Sequence, residues 1–297
     1  MTQKAIDYWI QGEKYLNSSC CSTPNYESAV GLYSRAYTLY KFEKNKDLAI
    51  KCSDKIVLCH SKLNNLIGIC VQLENLIDYL STNHPESINK IKESVFKCHT
   101  TYKISSNNIN ACYVLIKYFK YLNKIKNSDA DEHLQTLDLI ISITESGMLD
   151  LIYKKDIYVQ IYKYIVKYYP SNKYTNFIND IIDVCTKLNQ LNNVYNIMLS
   201  DVVYWIGKYN LQASRNNLQK YYSVSNFITT EQCELARQLI FLFDEVIVES
   251  EFKTKFSILI NKMSIFLMDR EIYNLISKIQ INKLQELAVS EMYNDLC

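Results

Sequence analysis

Glycine and proline are nearly missing from this chain. It has five glycines and three prolines in 297 residues, against the roughly 7% and 5% of an average protein. Sheet proteins need both at tight turns, and nucleotide-binding α/β folds need glycine where backbone meets phosphate. The glycines stand at 12, 31, 68, 147 and 207, never closer than 19 residues. That spacing excludes GxGxxG and GxxxxGK[ST], and with them the Rossmann and P-loop enzymes. An excess of one charge is lacking too: 33 Lys+Arg against 31 Asp+Glu leaves +2, so bulk charge makes no case for nucleic acid as the main partner. No apolar run approaches the ~18 residues of a membrane span. The opening segment, charged at Lys4 and Asp7, has no apolar core of signal-peptide length.

Metal and catalytic signatures are also absent. There is no CxxC, HxxxH or HExxH, and the histidines at 60, 84, 99 and 133 are scattered. Adjacent Cys98 and His99 would project about 100° apart on a helix. No DDxxD pair is present, and no convergent ionisable set points to catalysis, so the chain is expected to be neither an enzyme nor cofactor-dependent. The ten cysteines read as reduced, buried thiols of a cytosolic protein.

What is present is helical period. With 48% hydrophobic and 22% charged residues, the composition is that of a globular protein. In 26–42, Tyr26, Ala29, Val30, Tyr33, Ala36, Tyr37 and Tyr40 recur at steps of three and four, the stripe of an amphipathic helix. The pattern repeats in 45–62 through Leu48, Cys52, Val57 and Cys59, and in 86–102 through Ile88, Ile91, Val95 and Phe96. Turn formers interrupt it at 64–65, 81–85, 105–108, 127–129, 147, 170–172, 189–193, 207–210 and 223–230. Pro85 suits the first turn of a helix. Breaks about 20 residues apart predict roughly 14 antiparallel helices and no convincing strand.

Helix pairs of about 40 residues predict an all-α, tetratricopeptide-like, right-handed solenoid. Tyr26-Glu-Ser-Ala-Val and Pro85-Glu-Ser-Ile are expected to begin corresponding helices of two pairs, and Asp131-Glu-His-Leu a third. The predicted organisation is a solenoid over 1–228, a C-terminal bundle over 229–285 with long helices at 230–249 and about 250–281, and a tail over 286–297. Lys154, Lys155, Lys163 and Lys167 lie along one predicted helix among Tyr158, Tyr162 and Tyr164, and read either as a solvated basic edge or as a strip facing an acidic partner. Cys20 and Cys21 fall in a Ser/Asn-rich loop, and read as half-exposed thiols or as a membrane-touching, acylated pair.

Several segments together resemble the soluble NSF attachment proteins (SNAPs), particularly the gamma type. They are Glu13-Lys14-Tyr15-Leu16, a short loop, Pro24-Asn25-Tyr26-Glu27-Ser28-Ala29, then Tyr33, Ala36, Phe42 and Asn45 to Ile50. Asn127-Ser-Asp-Ala-Asp-Glu, Gln219 to Phe227, Thr230-Glu-Gln-Cys-Glu-Leu and the ending Asp295-Leu296-Cys297 follow in the same order. No single motif is specific; the colinear order carries the likeness.

The resemblance implies a non-enzymatic adaptor, peripheral on the cytosolic face of membranes. Such an adaptor lays its solenoid along a SNARE four-helix bundle and couples it to the hexameric AAA ATPase NSF. It places Lys163 at a basic SNARE-facing position, with Lys167 one turn further, and implies that Glu291, Asp295 and penultimate Leu296 meet the ATPase. Family members carry bulky apolar residues in the loop after the first helix. Here Ser18, Ser19, Cys20, Cys21, Ser22 and Thr23 stand there, so membrane contact is expected to be weak or to depend on acylation. The alternative is a tetratricopeptide module of the kind that holds a short acidic C-terminus in a clamp of Lys, Asn and Arg on successive helices, or a scaffold subunit of a larger assembly such as a proteasome-lid-like complex.

Overall fold

The computed structural model describes residues 2–17, 23–125, 129–224, 226–244 and 249–279. Among the described residues the regular elements are all helices, and no strand is present. In chain order they are α1 (Thr2–Leu16), α2 (Tyr26–Phe42), α3 (Lys46–Lys62), α4 (Leu66–Asn83), α5 (Ile88–Ile104), α6 (Asn108–Leu122) and α7 (Ala130–Glu145). There follow α8 (Leu151–Tyr168), α9 (Ser171–Lys187), α10 (Leu191–Gly207), α11 (Leu211–Tyr221), α12 (Glu231–Asp244) and α13 (Glu249–Met263). A 3-10 turn at Phe227–Thr229 precedes α12, and residues 270–279 are again helical. The architecture is consistent with a helical solenoid.

The turns explain how so few glycines suffice. Five connections, α2–α3, α3–α4, α5–α6, α9–α10 and α10–α11, share one construction. Their middle residue is left-handed: Lys44 (φ 54°), Asn64 (52°), Ser106 (57°), Asn189 (55°) and Tyr209 (58°). The next residue turns its N–H back to the last helical turn, as in Asn45 to Tyr40 O, Asn65 to His60 O, Asn107 to Tyr102 O, Gln190 to Cys185 O and Asn210 to Trp205 O, each 2.9 Å. This bond closes a Schellman motif. The same Asn then caps the following helix, accepting from the N–H of Leu48, Gly68, Asn110 and Ala213. One asparagine thus ends one helix and starts another, while left-handed glycine is confined to Gly147 (φ 74°) among the described residues.

The chain divides into two compact units, residues 1–149 and 150–297. In the first, each helix packs on its successor, and ion pairs tie alternate helices together. Glu13 of α1 meets Lys55 of α3 at 2.7 Å, Asp54 of α3 meets Lys90 of α5 at 3.1 Å, and Lys92 of α5 meets Glu132 of α7 at 2.7 Å. Between even-numbered helices, Lys41 lies 5.7 Å from the Tyr79 ring centroid and Lys117 lies 2.5 Å from Asp78. Odd helices therefore neighbour odd ones, and even ones even. The two segments expected to begin corresponding helices begin α2 and α5 instead, which belong to opposite sets. Pro85 also stands outside the helix, because α5 begins at Ile88 with Ser87 at its cap position.

In the second unit α10 is the most enclosed helix, with Val194, Ile197, Met198, Leu199, Val202 and Val203 fully buried. It packs against α9, α11 and α12. The single helix expected over about 250–281 is broken between α13 and residue 270. Met268 N–H is drawn to the buried Ser200 hydroxyl of α10 at 2.9 Å, and the Asp269 carboxylate accepts from Glu271 N–H at 2.9 Å, a local cap that restarts the helix. Leu275 then packs against Gly207, where an added Cβ would lie 3.1 Å from the leucine Cβ.

Tyrosine links adjacent helices in both units. Tyr33 donates to Glu13 (2.7 Å), Tyr118 to Glu132 (2.6 Å) and Tyr221 to Asp201 (2.7 Å). Tyr102 pairs with Glu74 and Tyr158 with Asp180 in the same way. The ring supplies buried area while the hydroxyl reaches a carboxylate, which avoids the ~1–3 kcal/mol cost of an unpaired buried polar group.

Candidate functional site

The four lysines singled out by sequence all lie on α8, yet they do not form one strip. At 100° per residue, Lys163 and Lys167 are about 40° apart, whereas Lys154 lies about 180° from Lys163. Lys154 turns inward to α9: its Nζ is 3.0 Å from Asp180 and 5.3 Å from the Tyr158 ring centroid, and its side chain is only 14% exposed. Lys155, on the neighbouring flank, is 3.9 Å from Asp156, and its charge opposes the rise that burial imposes on the Cys185 thiol of α9. Both lysines serve packing between α8 and α9.

Lys163 and Lys167 remain as a basic edge. Their ammonium groups stand 4.9 and 4.8 Å from the ring centroids of Tyr164 and Tyr168. Such contacts hold a flexible side chain in place without neutralising it. On the same face, toward the start of α8, are Ile152 (61% exposed) and Val159 (46% exposed). The exposed Asp156, paired with Lys155, stands on the same face, so it runs from apolar residues past one carboxylate to the two lysines.

Cys20 and Cys21, and Glu291, Asp295 and Leu296 of the expected tail, lie outside the described residues. The described cysteines at 52, 59, 70, 98, 112, 185 and 233 are all buried free thiols. Burial pushes Cys70 up to about 11 and Cys52 and Cys112 to about 12, far from a reactive thiolate. The histidines are likewise engaged in packing. His99 Nδ1 lies 3.1 Å from Ala111 O, His133 packs edge-on to Phe119, His84 meets the Tyr79 hydroxyl, and His60 fills the space left by Gly68. Among the described residues no group of three or more His, Cys, Asp or Glu is placed to hold a metal ion.

No protein-family model and no curated protein matches this chain.

A feature of the first unit went unread in the sequence. A groove of about 800 Å³ opens among α1, α3 and α5, lined by Trp9, Lys51, Lys55, Leu58, Lys90 and Lys97, with Asp54 and Glu93 between them. On α3 the lining includes 51, 54, 55, 58 and 61, with Val57 beside them, and on α5 it follows at 90, 93, 97 and 101. Both series have the three- and four-residue steps of one helix face. A charged Lys-x-x-acid step at Lys51–Asp54 and again at Lys90–Glu93 was the available signal. The apolar stripe fixes only which face of each helix is buried, and says nothing of which exposed faces of α1, α3 and α5 adjoin.

The second unit holds a buried carboxylate. Asp201 is 1% exposed and accepts from Tyr221 Oη at 2.7 Å and Asn217 Nδ2 at 2.8 Å, joining α10 to α11. Burial raises its pKa to about 6, against the opposing pull of these hydrogen bonds and of Lys220. Tyr162 and Tyr174 crowd the same region with phenols that burial holds neutral. No helix among the described residues is long and apolar enough to cross a membrane.

Proposed function

We propose that this chain is a SNAP-type adaptor. It binds a SNARE four-helix bundle and couples it to an NSF-type AAA ATPase for disassembly after membrane fusion, with weak peripheral membrane contact and no catalytic or nucleic-acid role of its own. The observation carrying this reading is the α8 face on which exposed Ile152 and Val159 lead to Lys163 and Lys167. Such a face complements a helical bundle with an acidic surface, and a rim of lysines supplies rapid, salt-sensitive association. The succession of helices with stereotyped turns supports a tetratricopeptide-like right-handed solenoid as the frame. The colinear resemblance to gamma-type SNAPs supplies the tail contact through Glu291, Asp295 and Leu296.

The test is ATP hydrolysis by the NSF ATPase in the presence of a SNARE bundle. The intact chain is expected to stimulate hydrolysis, Leu296→Ala to bind the bundle without stimulating, and Lys163→Glu with Lys167→Glu to lose bundle binding. An intact chain that neither binds the bundle nor stimulates at low salt refutes the proposal.

A further inference from the structure

We infer that the groove among α1, α3 and α5 binds a short acidic peptide carrying a large apolar side chain. Its charges are unevenly committed. Lys55 is held by Glu13 at 2.7 Å, and Lys90 bridges Asp54 at 3.1 Å and Glu93 at 3.3 Å. Lys90 thus engages both carboxylates of the lining, which holds four lysines against Asp54 and Glu93. Lys51 and Lys97, both exposed, form no ion pair among the described residues. The groove therefore presents two uncommitted ammonium groups on facing helices, with no uncommitted carboxylate opposite them.

The lining also holds apolar surface: Leu58 is 46% exposed, and Trp9, with Lys55 Nζ 5.8 Å from its ring centroid, lines the same groove. Lys51 and Leu58 are two helical turns apart on one face of α3, about 10 Å along the axis. A peptide of three to five residues spans that distance when extended, at about 3.3 Å per residue. The volume of about 800 Å³ is that of a site for a compact ligand, too small for a helical bundle. Carboxylates would meet Lys51 and Lys97, and an apolar side chain would cover Leu58 and Trp9. Nucleic acid fits less well, because two uncommitted ammonium groups in a compact groove cannot neutralise a continuous phosphate chain. The inference is independent of the adaptor reading, since it involves neither α8 nor the tail.

The experiment uses the full chain and a fluorescein-labelled peptide, Glu-Asp-Leu-Glu-Asp, followed by anisotropy and by tryptophan emission. Trp9 lines the groove and the other tryptophan, Trp205, belongs to the other unit. Saturable binding is expected at about 20 mM salt, weakening severalfold by about 200 mM, with a change in emission that Trp9→Phe abolishes. Lys51→Glu with Lys97→Glu is expected to weaken binding about tenfold or more, while Lys163→Glu with Lys167→Glu leaves it within twofold. A peptide with serine in place of leucine is expected to bind several times more weakly. Because exposed lysines are replaced, unchanged thermal unfolding is expected for the charge-reversed variant, and Lys51→Ala with Lys97→Ala provides a milder pair. No saturable binding at low salt overturns the inference, as does equal binding by either lysine pair and wild type. Loss of peptide binding in the α8 variant rather than the groove variant also overturns it and leaves the adaptor reading standing.

Discussion

Replacing Asp201 by asparagine isolates a single buried charge in the second unit. The carboxylate is 1% exposed and takes hydrogen bonds from Tyr221 and Asn217. Burial nevertheless raises it from 3.8 to about 6. The folded state therefore holds this proton more tightly than the unfolded state does. The stability that the group contributes is complete below about pH 4, the range of an unfolded aspartate, and is lost as pH rises through about 6. Each pKa unit corresponds to about 1.4 kcal/mol, and integrating between pH 4.5 and 7.5 gives a loss of about 2 kcal/mol from this group alone. Asparagine keeps the shape and one acceptor but does not ionise, so the variant escapes this loss.

The assay is urea unfolding at pH 4.5, 6 and 7.5 in a Trp9→Phe background, so that Trp205, on the same helix as Asp201, reports the second unit. Other titrating groups act equally on parent and variant and cancel in the difference. That difference is expected to move by about 2 kcal/mol in favour of the Asp201→Asn chain between pH 4.5 and 7.5. Tyr162, Tyr174 and Tyr221 contribute no slope there, since burial holds each phenol above its usual range. Parallel curves across the three pH values would refute the assignment of a buried, proton-retaining carboxylate.

Gly68→Ala should destabilise the first unit although alanine favours helix by about 1 kcal/mol. The new Cβ would lie 2.5 Å from His60 Nδ1, and overpacking of this kind costs about 1–3 kcal/mol. In a double-mutant cycle by thermal unfolding, His60→Ala should remove most of that penalty. Lys44→Asn should stabilise by about 0.5 kcal/mol, because asparagine tolerates the left-handed conformation held at φ 54°. Asn65→Ala should cost about 1 kcal/mol in urea unfolding by removing the cap on Gly68 N–H.

Helix existence and length were legible because each helix carries its own period and its own punctuation. Asn64-Asn65, Ser105 to Asn108 and Asn189 mark breaks in the sequence and turns in the structure, since Schellman and capping bonds are local and depend on residues within one turn of the chain. Local signals misplaced the start of α5, where Pro85 stands three residues too early, and missed the break at 264–269. That break depends on Ser200, 68 residues away from the Met268 N–H it accepts.

The amino-acid sequence by itself determined that the chain is helical, where most helices begin and end, and which residues form each apolar stripe. Period and capping are properties of neighbours along the chain. Tertiary structure decided which charged side chains remain available. Lys154 and Lys163 are equivalent in sequence, but Asp180 of α9 takes one and leaves the other at the edge. Lys51 and Lys90 both begin a Lys-x-x-acid step, yet only Lys90 reaches across to Asp54. The physical reason is range: an ion pair or buried hydrogen bond needs approach within about 3–4 Å, and across separate helices only packing sets that distance.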